Sequence, residues 1–212
     1  MPSSSDAKRA RILEAAYQLC LGRGVEATRM EEVAARAQVS KGTLYRYFES
    51  KEELLLATIL DSYEQSLRLL PHLPEVGSLD AQGLLSAHVD ALVKVLESLS
   101  PRMNVHYQAW SLVAKTPALK EKLDAFLRDF HVERGAELVE VIEAGQQQAV
   151  FRRDLPAAAL AEGMQALLSG FLYRASFDPD AASPPLLRQC FDAILHDLVS
   201  PPTAPDRAGP RA

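Results

Sequence analysis

The chain of 212 residues has two cysteines, a single tryptophan and no run of 18 apolar residues. Each scarcity excludes something. Cys20 and Cys190 lie at opposite ends of the sequence, too few and too far apart for a disulfide framework, and read as reduced thiols. Without a long apolar run, no membrane span is expected. The opening Met1-Pro2-Ser3-Ser4-Ser5-Asp6 lacks the basic-then-apolar layout of a secretory signal, so a cytoplasmic protein is expected. The five histidines, His72, His88, His106, His131 and His196, form no HExxH or other paired-ligand spacing, and neither cysteine lies near one in sequence. A nucleophile elbow and a phosphate-binding glycine loop are also missing. An enzyme, a bound metal and a cofactor are therefore not expected.

The charge that is present is unevenly spread. The whole chain carries −5, yet residues 1–52 hold nine Lys/Arg against seven Asp/Glu, leaving the acidic excess to the remainder. Salt screens charges beyond ~8–10 Å, so a local basic face can bind phosphate although the molecule is acidic.

Helical periodicity runs through nearly every segment, and strand-like alternation is missing. The pattern predicts an all-α protein of nine helices. The first spans about Asp6 to Arg23, with Ile12, Leu13, Ala16, Leu19 and Cys20 on one face, and stops at Gly22-Arg23-Gly24. Thr28-Arg29-Met30-Glu31 fits a capping box opening the second helix, which ends near Ala37. The third covers about Lys41 to Phe48. Ser50-Lys51-Glu52-Glu53 is another capping box, opening a fourth helix to about Leu70, where Pro71 and Pro74 stop it. The fifth spans roughly Leu79–Ser100 and the sixth Pro101–Ala114. The seventh opens at Thr116-Pro117 and reaches about Gln148. A polar, basic linker, Val150 to Leu155, precedes the eighth (Pro156 to about Ala175). A proline-rich loop precedes the ninth, which ends near Val199. The expected organisation is an N-terminal domain at 1–52, a larger helical domain at 53–200, and a disordered tail at 201–212, which has four prolines from Ser200 onward.

Residues 28–53 read TRMEEVAARAQVSKGTLYRYFESKEE. Met30, Val33, Ala34 and Ala37 make one apolar stripe, Val39 sits in the following turn, and Leu44 and Phe48 continue it on the next helix. These spacings let two short helices pack around a tight turn, with Ala34 small where they come closest. The outer face of the second of them, Ser40, Lys41, Thr43, Arg46 and Tyr47, is then free to enter a major groove, whose ~12 Å width admits one helix. Gly42 lets the backbone come close. Thr28, Arg29 and Lys51 stand at helix N-termini, where free N–H groups favour phosphate. The basic Lys8, Arg9 and Arg11 are open to two readings, phosphate contact or a solvated helix start.

VSKGTLYRYFESKEELL resembles the recognition-helix signature of TetR/AcrR transcriptional regulators, and the resemblance extends from about Arg9 to Leu56, including EEVAARA in the preceding helix. It implies a homodimer that binds a palindromic operator, usually as a repressor, and leaves it when a small molecule fills the C-terminal domain. Matching positions imply base-edge contacts from Lys41, Gly42, Thr43 and Arg46, and phosphate contacts from Thr28, Arg29, Ser40, Tyr45, Tyr47 and Lys51. One departure is Gln38, where family members usually carry glycine. A left-handed residue there costs glutamine about 1 kcal/mol.

Beyond Leu56 the likeness is one of helix count and order. Tyr63, His88, Met103, His106, Tyr107, Trp110, Phe126 and Phe130 read either as plain core or as the wall of an apolar effector cavity, with Asn104 and Gln108 as further polar candidates. Tyr107 and Trp110 are the leading pocket residues, each with one polar atom free to point inward. Leu160, Met164, Leu167 and Phe171 on the eighth helix, with Leu187, Phe191, Ile194 and Leu198 on the ninth, are expected at a four-helix dimer interface. The expected partners are operator DNA, a second copy and a small apolar or aromatic effector, with no membrane. The alternative is a helical ligand- or protein-binding module whose reading head does not bind DNA.

Overall fold

A computed structural model describes residues 4–70, 80–178, 180 and 182–199, the side chains of Ser4 and Phe130 excepted. The expected disordered tail at 201–212 lies outside these residues. The described residues form nine α-helices and no strand: α1 (Ser4–Arg23), α2 (Met30–Arg36), α3 (Lys41–Tyr47), α4 (Lys51–Leu67), α5 (Ala81–Leu99), α6 (Met103–Val113), α7 (Pro117–Gln147), α8 (Ala157–Ala175) and α9 (Pro184–Val199), with a 3₁₀ turn at Ser100–Arg102 between α5 and α6. No helix among them is long and apolar enough to cross a membrane.

The head is α1 to α3. Ile12, Leu13, Ala16 and Leu19 of α1 close against Met30, Val33 and Ala34 of α2 and Leu44 of α3, with Phe48 and Leu54 completing the cluster. Ala34 is 3 % exposed at this crossing, as its small size anticipates. Helix α1 ends where Gly24 takes φ +83 and its N–H reaches the Cys20 carbonyl. The turn between α2 and α3 is left-handed at Gln38 (φ 55), and the Val39 N–H bonds back to the Ala34 carbonyl at 3.0 Å, the glycine-favouring helix end of a Schellman turn. The departure seen in the sequence is thus a real conformational cost at Gln38.

One cap differs from the sequence reading. The N-cap of α2 is Arg29, without a side-chain bond, and Thr28 is 4 % exposed with its hydroxyl donating to the Gly24 carbonyl at 2.9 Å. Thr28 therefore ties the α1–α2 turn instead of capping α2, its hydroxyl buried in the head and committed to the Gly24 carbonyl. The second box holds in its first half: Ser50 Oγ accepts from the Glu53 N–H, while the Glu53 carboxylate reaches one residue further back and accepts from the Glu49 N–H at 2.7 Å.

Helix α4 belongs to both halves. Leu54 packs into the head, whereas Leu55, Leu56 and Ile59 join Tyr17, Cys20 and Val25 from the head and Val105, Ala109 and Val113 of α6 in a junction cluster. The larger C-terminal core gathers α5, α7, α8 and α9. Phe151 corrects the reading of Val150 to Leu155 as a polar, basic linker. It is 3 % exposed, seated where a Cβ on Gly145 would overlap its ring. The charged part of that link is held by Arg152, which pairs with Asp154 at 2.5 Å and Asp197 at 2.6 Å. Cys20 and Cys190 are both free thiols.

The dimer residues expected from the sequence are largely used inside the chain. Met164 and Phe171 on α8 and Leu187, Phe191 and Leu198 on α9 are buried in the C-terminal core, while Leu160, Leu167 and Ile194 are half-buried against it. The most hydrophobic stripe of each helix faces α7 and α5, where it removes the most apolar area from water. The outward stripe of α8 is different: Ala159, Gly163, Ala166, Gly170 and Tyr173 recur at four- and three-residue steps and are exposed, and the exposed Phe177 follows just beyond the helix. A Cβ added to Gly163 or Gly170 would meet nothing within 4 Å.

Candidate nucleic-acid interface and effector cavity

Helix α3 is fixed by Leu44, fully buried in the head, and by Ser40, whose Oγ accepts from the Thr43 N–H at 3.1 Å. That anchoring leaves Ser40, Lys41, Gly42, Tyr45 and Arg46 exposed and Thr43 and Tyr47 half-buried. The seven residues make a helix too short to persist alone, so its orientation comes from packing. Lys41 Nζ lies 2.6 Å from Glu31 Oε1 of α2 and 5.7 Å from the Tyr45 ring centroid. The Lys41 hydrogen bond holds the Glu31 carboxyl below the usual carboxylate range, and the same contact raises the Lys41 ammonium. Tyr47 shares a 2.9 Å hydroxyl contact with Ser5, tying the start of α1 to α3. Lys51 donates to the Glu26 carbonyl at 2.8 Å, and Arg9 stands 3.8 Å from Asp61. Arg29 is exposed at the start of α2.

Of the ten expected DNA-contacting residues, the fold brings Arg29, Ser40, Lys41, Gly42, Thr43, Tyr45, Arg46, Tyr47 and Lys51 to α3 and the helix starts beside it. Thr28 alone is removed, because its hydroxyl is buried and committed to Gly24. Gly42 stands out. It lacks a positive φ and a Cβ there would meet nothing within 4 Å, so the protein itself has no need of glycine at that position.

A cavity of about 220 Å³ lies in the C-terminal domain. Helix α4 contributes Tyr63 and Leu67, α5 contributes His88, Leu92, Val95 and Leu99, and α6 contributes Met103, Tyr107 and Trp110. Helix α7 adds Leu127, His131 and Arg134; α8 adds Gln165, Leu168, Ser169, Leu172 and Tyr173. Tyr63, His88, Met103, Tyr107 and Trp110 thus line it as the sequence suggested. His106 does not. It is 1 % exposed, stacked on Tyr63 with ring centroids 5.3 Å apart, and neither ring nitrogen has a hydrogen-bond partner among the described residues. Phe126 is also outside the lining, its ring set edge-on to Tyr63 at 6.3 Å. The Phe130 side chain lies outside the described residues. The α7 and α8 contributions were missed because their apolar members read as ordinary core, and only the exposed Tyr173 carried a signal.

The cavity wall is electrically quiet. Burial pushes His88 down to about 4, so its ring is neutral near pH 7, and burial pushes the Tyr63 hydroxyl up to about 12. Arg134 is paired with Glu137 at 2.9 Å. Tyr107 stacks on Trp110 at 6.1 Å and meets Tyr173 edge-on at 5.6 Å.

Helix α6 also touches the head. Gln108 Oε1 accepts from the backbone N–H of Val25 at 3.2 Å, and its Nε2 donates to Asn104. Arg102, just before α6, lies over the Tyr17 ring at 4.7 Å. Asn104 and Gln108 are thereby removed from the cavity and assigned to the junction. Helix α4 is accordingly not the sole bridge between cavity and head.

A helix-turn-helix head with a free polar face, fused to an all-helical domain around an apolar cavity, defines a DNA-binding transcriptional regulator. Residues 12–58 match the profile described as bacterial regulatory proteins of the tetR family, and residues 81–200 match that of the BetI-type transcriptional repressor C-terminal domain. The chain belongs to the TetR family of transcriptional regulators. Over 58 residues, 27% of this chain and 27% of the relative, it is 47% identical to the HTH-type transcriptional repressor KstR of Rhodococcus jostii. Among solved structures, the TetR family regulator PfmR of Thermus thermophilus shares 26% identity at a TM-score of 0.64, covering 88% of this chain and 97% of that one. A transcriptional regulator from Saccharomonospora viridis, solved in complex with choline, shares 25% identity at a TM-score of 0.62, covering 93% and 100%.

Proposed function

We propose that this regulator is a repressor that binds a palindromic operator as a homodimer and is released when a small apolar or aromatic effector fills the α4–α8 cavity. The observation that carries the reading is the shared use of two helices. Helices α4 and α6 each line the cavity and each pack into the junction cluster beneath the head. An effector that favours one arrangement of these helices shifts the head with them. Half-sites one turn apart need ~34–36 Å between recognition helices, so a displacement of a few ångströms per subunit weakens binding. Linkage requires that operator DNA weaken effector binding by the same factor. Base-edge contacts are assigned to Lys41, Gly42, Thr43 and Arg46. Phosphate contacts are assigned to Arg29, Ser40, Tyr45, Tyr47 and Lys51. Repression is supported by the KstR relative and by the repressor-type C-terminal match. A regulator that works on DNA in a bacterial cell is cytoplasmic.

For the dimer, the outward small-residue face of α8, joined by exposed positions of α9, replaces the buried residues named from the sequence. Small side chains let helices approach closely and bury backbone-flanking area across a two-fold axis. Light scattering at micromolar concentration is expected to give twice the chain mass; a monomer refutes this part.

The deciding experiment is a titration against duplex DNA from upstream of the protein's own gene, beside a scrambled duplex at physiological salt, followed by selection from random duplexes. Specific sites are typically bound ~10³–10⁷ tighter than non-specific DNA. Replacing Lys41 and Tyr45 together is expected to abolish that preference without unfolding. Enrichment of no sequence by selection would instead favour a binding module with an inactive reading head.

A further inference from the structure

The chemistry of the cavity narrows what can fill it; the inference rests on the effector reading above. Benzene occupies an engineered apolar cavity of ~150 Å³ in another protein, so the space here suits a molecule of about ten non-hydrogen atoms. Its apolar wall, with Tyr63, Tyr107, Trp110 and Tyr173 around it, suits a ring. Charge is the more discriminating feature. Among the described residues the one guanidinium in the wall is Arg134, which already has its counterion in Glu137, and both side chains are mostly buried, 14 % and 23 % exposed. No carboxylate lines the cavity among the described residues, so a cationic guest lacks a counterion. An anionic guest would have to share Arg134 with Glu137, and two carboxylates on one guanidinium leave a net negative charge in the site. An uncompensated charge in such a site is strongly disfavoured, whichever sign it carries.

One group in the wall asks for a partner. His88 is 2 % exposed and lines the cavity, and among the described residues its ring makes no hydrogen bond; Nδ1 is closed off by its neighbours, which leaves Nε2 as the ring nitrogen a guest can reach. The other titratable groups facing the space are accounted for: His131 Nδ1 lies 3.2 Å from Gln165 Oε1, Arg134 is paired, and Tyr107 and Tyr173 pack against each other. A buried imidazole without a hydrogen bond is left desolvated, and a guest that supplies one removes that penalty. We infer that the effector is an uncharged ring compound of about ten non-hydrogen atoms, with one hydroxyl or carbonyl group that hydrogen-bonds the His88 imidazole.

The only tryptophan, Trp110, lines the cavity, so intrinsic fluorescence reports occupancy without DNA. Three probes share one phenyl-alkyl body and differ in charge: phenylpropanol, phenylpropanoate and phenethyltrimethylammonium. The alcohol is expected to quench and bind at least about tenfold tighter than either ion, the scale of one unpaired buried group. A carboxylate that binds equally or better overturns the inference and means that Arg134 is available. A quaternary ammonium that binds better overturns it in favour of an aromatic cation cage. Failure of all three at millimolar concentration overturns the assigned size and class. For the hydrogen bond, His88→Leu is expected to weaken phenylpropanol about tenfold while propylbenzene changes little. Equal losses overturn the pairing. Should that variant not fold, the ring-nitrogen chemical shifts of His88 in the unaltered protein serve instead, and shifts unmoved by bound alcohol overturn the pairing. Alcohol that fills the cavity but leaves operator affinity unchanged would uphold this inference and refute effector-driven release.

Discussion

Gly42→Ala separates what the protein needs from what DNA needs. The position lies in the first turn of α3, φ there is not positive, and a Cβ would meet nothing within 4 Å. Alanine in a helix is favoured over glycine by about 0.5–1 kcal/mol, and no clash offsets the gain. The variant should therefore melt about 2–4 °C higher, the usual response of a chain this size to 1 kcal/mol. Operator binding should move the other way. If α3 enters a major groove with its start against the DNA, an added methyl holds the backbone off and loses interactions worth about as much as one good base contact. That is about 1–3 kcal/mol, or between about fivefold and 150-fold in affinity. The assay pairs differential scanning calorimetry with fluorescence anisotropy on operator and scrambled duplexes at one salt concentration. A variant that is more stable and still binds operator within twofold of the parent would refute the close approach of Gly42 to DNA, and with it the assigned docking of α3.

Gln38→Gly should stabilise the protein by about 1 kcal/mol, because glycine accepts φ 55 without steric cost; an unchanged urea midpoint would show that the turn is not strained. His88 and His106 are both pushed down by burial to about 4 from an ordinary 6.5. The unfolded chain takes up their protons first, so the stability they confer is complete above pH 6.5 and lost as pH falls toward 4. Between pH 7.5 and 5 each ring should cost about 2 kcal/mol, and His106→Phe, which keeps the stack on Tyr63, should remove about half of the combined loss in urea titrations. Gln108→Ala strands the Val25 N–H and should cost about 1 kcal/mol. It is also expected to shrink the effect of the effector on operator affinity while leaving effector affinity unchanged; undiminished coupling would exclude this contact from the transmission route.

The sequence by itself determined the helices and the reading head. Apolar spacing in α1 and α2, the Gly24 stop, the Ser50 cap and the VSKGTLYRYF run carry local physics: a helix turn repeats every 3.6 residues, a cap is one hydroxyl and one amide, and a left-handed turn shows as a glycine or as its costly absence at Gln38. Tertiary structure decided which of two faces each C-terminal helix buries. Met164 and Phe171 are as apolar as an interface residue must be, and periodicity does not tell an interface from a core. Their position against α7 turned them inward and left the small stripe of α8 outside. Packing likewise sent Thr28 to the Gly24 carbonyl, His106 behind Tyr63 and Gln108 to Val25, while it assembled Arg134, Gln165 and Tyr173 with His88 around one cavity. A cavity wall is drawn from five helices far apart in the chain, and the angle at which helices cross depends on every side chain between them, which no single segment encodes.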